Sequence, residues 1–261
     1  MKQKEMDQVR EASREEGMKT SAEIRAEAWG ALGENGQYLR YVSAYLLLMM
    51  VAVVVSIPLG AVLGVGIGVS GIAPFFAPGG QPEIGLLMDP GVMLPLGAAV
   101  LVVSLLAMYP IGFIMWGQAA MAIAAMRRGL TVGHALSGWG HGWKMGWTEM
   151  VKITYLHLWS LLFVVPGLVK YCSYAMTEFI AVDHPDWSAN QCITESRRLM
   201  DGHKMRYFYM LLSFIGWVVL VMFAGMLPLV GGLAQWFFMP YIESAKAAFY
   251  EELLDMDALQ Q

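Results

Sequence analysis

The apolar residues of this chain come in blocks, and the length of those blocks limits what it can fold into. Tyr41 to about Gly66, Val92–Met126, Tyr207 to about Met226 and Leu229 to about Phe249 run almost without charge. About 20 apolar residues cross the ~30 Å hydrocarbon core of a bilayer. The composition agrees. Hydrophobic residues make up 57% of the chain and charged residues 15%, where a soluble domain carries roughly a quarter charged residues. The formal net charge of -4 decides little, because the placement of Lys and Arg sets orientation.

The stretch from Val151 to Arg206 organises the rest. A short apolar segment, Val151–Val165, meets Pro166-Gly167, and the apolar sequence then resumes to Asp183. A polar insert carrying Arg197, Arg198, Lys204 and Arg206 follows. One kinked span would place that insert outside, against the positive-inside tendency. A hairpin turning at Pro166-Gly167 keeps it on the cytoplasmic side. Each arm would reach roughly 24 Å, short for a full crossing, so thin spans and a re-entrant hairpin both fit.

The expected fold is therefore all-α. It is a polytopic membrane helix bundle of about six membrane helices, the middle pair forming the short Pro-Gly hairpin. Residues 1–37 read as a charged cytoplasmic tail and juxtamembrane helix, 38–253 as the membrane domain and 254–261 as a cytoplasmic tail. Both termini are expected inside. No cleavable signal peptide is evident, because the polar stretch 1–37 precedes the first apolar block. Pro110 should kink the second block and Pro240 should break the last, which with Pro166 and Gly167 makes four hinge positions. Ser104-Leu-Leu-x-x-x-Pro110 and Ser160-Leu-Leu-x-x-x-Pro166 share a spacing that hints at repetition.

Two helix starts are legible. Thr20 with Glu23, and Ser188 with Gln191, have capping-box spacing. The first should open a helix with Ile24, Ala28 and Leu32 on one face, lying on the membrane or against the protein's own loops. The second opens a short helix at about Ala189–Asp201, with Gly202 as its terminator. Trp139, Trp143 and Trp147 recur every four residues, which suits a lipid interface, although four nearby glycines weaken a regular helix. The 70–91 connection is rich in Gly and Pro and has no Lys or Arg.

A family resemblance rests on blocks in the second half: Trp159-Ser160-Leu161-Leu162, Val165 through Tyr171, Ser173 through Met176, Glu195 through Met200, and Gly202-His203-Lys204. Leu212 through Trp217, Pro240-Tyr241 and Ala248 through Glu252 continue it in order. In these the chain resembles the bacterial integral-membrane family catalogued as domain of unknown function, family 975. The resemblance covers roughly Trp159–Leu253, with a looser match through Ile24–Ala28 and Pro110-x-Gly112. It implies a multi-pass protein of the bacterial cytoplasmic membrane and brings no established activity. A more distant likeness to membrane domains found beside glycerophosphodiester phosphodiesterases leans toward lipids.

Charge inside apolar sequence marks the candidate site, since such charge is expensive and usually has a reason. Lys170, with Tyr174 one turn on, is a candidate for holding a lipid phosphate or another anion. The plainer account has Lys170 snorkelling to an interface or binding a backbone carbonyl. Arg197, Arg198 and Lys204 extend this as candidate anion-binding residues and, with Arg206, form a membrane-facing basic patch, each basic group being worth about 1 kcal/mol near anionic lipid. Glu178, Glu243 and Lys246 are candidate intramembrane polar residues, with Glu243 and Lys246 spaced as a structural helix ion pair. The five histidines are scattered, and Cys172 and Cys192 alone make neither a zinc site nor an expected disulfide. No nucleophile elbow, Walker loop or dinucleotide fingerprint is present. The expectation is a non-enzymatic envelope protein that organises lipid or partner proteins, with no metal, cofactor or nucleic acid. Its partners would be membrane lipids and a membrane protein or a second copy. The alternative is a small transporter or exporter component, because transporters place sites at broken helices.

Overall fold

A computed structural model describes residues 18–33, 36–69, 90–127, 129–226 and 230–259, and side chains are not described for 55–69, 162, 164, 230–235 and parts of 90–104. The charged stretch 1–17, residues 34–35, the Gly/Pro-rich stretch 70–89, Arg128, residues 227–229 and 260–261 lie outside the described residues. The described chain is helical, without a strand. Its helices are α1 (Ser21–Gly33), α2 (Gln37–Val69), α3 (Pro90–Met126), the single-turn α4 (Gly133–Leu136), and α5 (Gly142–Leu162). Then come α6 (Val164–Ser173), α7 (Thr177–Asp183), α8 (Ala189–Leu199), α9 (Lys204–Leu212), α10 (Ile215–Gly225) and α11 (Val230–Ala258).

Both capping boxes form. The Glu23 carboxylate accepts from the Thr20 backbone N–H at 2.6 Å while the Glu23 N–H donates to the Thr20 hydroxyl. Ser188 and Gln191 do the same at the start of α8. Each box satisfies two N–H groups that the first helical turn leaves unpaired. Gly36 (φ 70°) and Gly202 (φ 81°) take the left-handed conformation just after α1 and α8, where a Cβ would be strained. Ile24, Ala28 and Leu32 are all buried, and α1 packs on α11, α9, α2 and α3. This helix is thus packed into the protein core rather than free on the surface.

The expectation of about six membrane helices is corrected in number. Among the described residues two helical stretches are long and apolar enough to cross a membrane, Gln37–Val54 and Leu105–Met126. A third qualifies if α9 and α10, bent by 41° around Ser213-Phe214, count as one span. The physical reason is charge and length. The hairpin arms carry Glu149, Lys152 and Glu178, and α11 carries Glu243 and Lys246. Nor does α11 break at Pro240, and α3 continues through Pro110. Proline removes one i→i−4 bond, which the long flanking helix absorbs.

The hairpin does form, but the chain turns at Phe163, three residues ahead of Pro166-Gly167. Phe163 is extended (φ -164°, ψ 155°) between α5 and α6. Pro166 then falls in the first turn of α6, where its missing N–H leaves nothing unpaired. Gly167 faces Ser160 so closely that an added Cβ would sit 2.5 Å from the Ser160 hydroxyl. The two Ser-Leu-Leu-x-x-x-Pro stretches consequently take different structures, one a continuous helix and the other a turn.

The glycines around the tryptophans have a packing role. A methyl group added at Gly112 of α3 would overlap the Gly142 carbonyl and the Gly146 backbone nitrogen of α5, and one at Gly146 would overlap the Met108 carbonyl. Helices α3 and α5 therefore touch backbone to backbone, as small residues allow. Trp139, Trp143 and Trp147 remain exposed along the outside of this seam.

Candidate functional site

The hairpin returns the chain on itself and thereby concentrates charge. Lys152 on α5 donates to Glu178 on α7 at 2.7 Å, although 26 residues separate them. In one straight helix they would stand roughly 39 Å apart. Lys152 also donates to Glu149 at 2.7 Å, one turn earlier on α5. From α11, Lys246 donates to both oxygens of Glu243 at 3.2 and 3.0 Å, with its ammonium 5.9 Å from the Phe179 ring centroid. Glu149, Glu178 and Glu243 are only 5%, 9% and 8% exposed. Three carboxylates face two ammonium groups, a formal surplus of one negative charge. Buried carboxylates persist because cations bridge them; unpaired they would be strongly disfavoured.

Glu149, Lys152, Glu178 and Lys246 line a cavity of about 230 Å³. Tyr171, Tyr174 and Tyr207 supply phenols to its wall, and Met115, Ile153, Leu156 and Ala175 its apolar surface. Tyr171 and Ile153 are about half exposed, so the cavity reaches the protein surface there. No His, Cys or Ser is among the described lining residues. Chemically the site offers charge pairing, phenolic hydrogen bonding and carboxylates able to carry a proton. Among the described residues no group of three His, Cys, Asp or Glu is arranged to hold a metal ion.

The structure divides the sequence-derived candidates. Tyr174 and Glu178 meet in the cavity with Lys246, and Glu243 stands behind as the partner of Lys246. Lys170 lies elsewhere, its ammonium 4.5 Å over the Trp159 ring on the facing hairpin arm. The basic patch is largely neutralised by carboxylates. Arg198 pairs with Asp257 at 2.6 Å and with Glu195 at 2.6 Å, and Lys204 pairs with Asp201 at 3.0 Å. Arg197 makes no ion pair with a described residue. Pro110, Pro166, Gly167 and Pro240 lie outside the cavity lining.

Glu149 and Lys152 were missed in the sequence because they fall where an amphipathic helix meets an apolar one. A signal was available. Glu149-x-x-Lys152 and Glu243-x-x-Lys246 are the same pattern, each beside or within apolar sequence. Arg127, just past the second apolar block, also joins distant elements. It makes a two-pronged pair with Asp183 at 3.0 and 2.8 Å and bonds Glu251 at 3.0 Å. This clamps the ends of α3, α7 and α11 below the cavity. The hydrogen bonds that Arg127 donates to Asp183 lead the effects that raise its pKa.

The family described as Protein of unknown function (DUF975) matches residues 97–257, which contain every cavity residue. The chain belongs to this family. No curated protein and no solved structure matches it. For this DUF975 protein the charged cavity is the most specific chemical feature to explain.

Proposed function

We propose that this is a multi-pass protein of the bacterial cytoplasmic membrane that binds a small charged solute in the hairpin cavity, as a non-enzymatic transport or exporter component. The observation that carries this reading is the enclosure of Glu149, Lys152, Glu178 and Lys246 around one cavity. Concave sites with a few convergent polar groups are the usual binding sites of proteins, and ionisable residues in membrane proteins mark solute paths. The surplus carboxylate favours a cation or a zwitterion over an anion.

Membrane embedding is supported by where apolar surface remains exposed. Helix α10 is apolar throughout and has no buried residue, a surface that hydrocarbon tolerates and water does not. Leu161, Phe163 and Val165 at the hairpin tip are 82%, 74% and 71% exposed. From Lys152 to that tip the helix reaches about 16 Å, roughly half the hydrocarbon core. The hairpin is accordingly read as re-entrant, with the polar insert and both termini cytoplasmic.

Proteoliposomes holding the purified chain test the function against organic cations, zwitterionic amino acids and inorganic cations. One class is expected to give currents or uptake that Glu178→Gln abolishes while the protein stays folded. Traces matching empty vesicles for all three classes would sink the proposal. Topology has its own measurement. Pro185 is exposed, and the native thiols Cys172 and Cys192 are both buried, so Pro185→Cys provides one accessible label. Impermeant maleimide should miss it in intact cells and reach it after permeabilisation. Labelling of intact cells would overturn the re-entrant hairpin.

The reading as an organiser of lipid or partner proteins keeps one specific support, the pair of cations Lys170 and Arg197, for which no ion pair is formed with described residues. Unchanged lipid and partner association in Lys170→Ala/Arg197→Ala would remove it.

A further inference from the structure

A second hollow, of about 390 Å³, opens where α1, α2, α10 and α11 meet. Trp29, Tyr38, Trp217, Leu220, Phe237 and Tyr241 line it. Ring packing fixes its walls. Tyr241 meets Trp29 edge-on at 5.4 Å, and Tyr38 lies 5.9 Å from the same indole. Of the two phenols in the wall, Tyr38 is already used, since its hydroxyl donates to the Phe237 carbonyl at 2.7 Å. On its other side the hollow is continuous with Leu220 and the exposed apolar face of α10.

A cation stands beside the Tyr241 wall, outside the lining residues themselves. Arg25 lies one turn before Trp29 on α1, and its guanidinium is 5.8 Å from the Phe214 ring centroid. Phe214 in turn packs 5.2 Å from Tyr241. Arg25 donates to the carbonyls of Ser21 and Ser213, both at 3.3 Å. It pairs with no carboxylate among the described residues, and these two bonds use two of its five N–H donors. A guanidinium with donors to spare suits a phosphate, and tryptophan and tyrosine suit the headgroup level of a bilayer.

We infer that this groove seats one acyl chain of an anionic phospholipid, with the lipid phosphate at Arg25. A second copy of the chain would cover the apolar wall but leaves the Arg25 charge unexplained, whereas a phosphate-bearing amphiphile accounts for both. The site is independent of the hairpin cavity, so neither proposal depends on the other.

The test is native mass spectrometry of the full chain released from nanodiscs of phosphatidylcholine with phosphatidylglycerol. Wild type should retain phosphatidylglycerol selectively. Arg25→Gln should retain it about fivefold less, the effect of one basic group near the headgroup. Leu220→Trp, which fills the groove from an exposed position, should lose it while leaving thermal unfolding unchanged. Equal retention by wild type and both variants overturns the inference. So does a dimer that dissociates on Leu220→Trp, which would make a second copy the occupant.

Discussion

Gly112→Ala is expected to destabilise the protein by about 3 kcal/mol or more, at the upper end of overpacking effects. The obstacle is backbone. A Cβ at Gly112 would overlap the Gly142 carbonyl and the Gly146 nitrogen, and neither belongs to a side chain that can rotate away. Gly146→Ala should behave alike, because its Cβ would run into the Met108 carbonyl. Separating α3 from α5 would also shift Glu149 and Lys152 relative to Met115, opening the cavity. Thermal unfolding in detergent should show a fall of roughly 6–12 °C for a chain of this size. Gly30→Ala is the matched control. Nothing lies within 4 Å of its Cβ position in α1, so it should leave stability unchanged or raise it by up to about 1 kcal/mol. Equal melting of the Gly112 and Gly30 variants would show that the two backbones are not in contact.

Lys152→Ala is expected to cost about 3–5 kcal/mol, because it leaves Glu149 and Glu178 buried without their shared cation. The informative comparison is the fully neutral variant, Glu149→Gln with Lys152→Met and Glu178→Gln. Replacing a buried ion cluster by neutral groups of similar size is often close to neutral for stability. The triple variant should therefore recover most of what Lys152→Ala loses, yet fail to bind or move solute. If it remains as unstable as the single variant, the cluster's place in the fold is packing rather than charge balance. If it recovers stability and retains flux, the cavity is not the solute site. Denaturant titration and vesicle flux on the same preparations read both quantities.

Some of this architecture was present in local sequence. The helix starts at Thr20 and Ser188 and the stop at Gly202 were legible because each depends on side chains within four residues. The first two apolar blocks were legible because bilayer thickness fixes their length. The hairpin was inferable from charge placement, although its turn lies at Phe163. Proline was given too much weight: Pro166 tolerates a first helical turn, and Pro110 and Pro240 sit inside helices long enough to absorb one missing hydrogen bond. The glycines near the tryptophans looked like a flaw in a helix, since no local rule says that another backbone lies against them.

The sequence by itself determined that the chain is helical, where several helices begin and end, and that the first two long apolar blocks each hold a segment apolar enough for a bilayer, all consequences of short-range hydrogen bonding and of apolar run length. Only the tertiary structure decided which charges share a site. It joined Lys152 to Glu178 across the hairpin, brought the Lys246 helix to the same cavity, and paired Arg198 with Asp257. The Lys152–Glu178 pairing depends on the turn at Phe163, which brings α7 back to α5. The physical reason is that an ion pair is set by distance in space, and distance along the chain does not encode it.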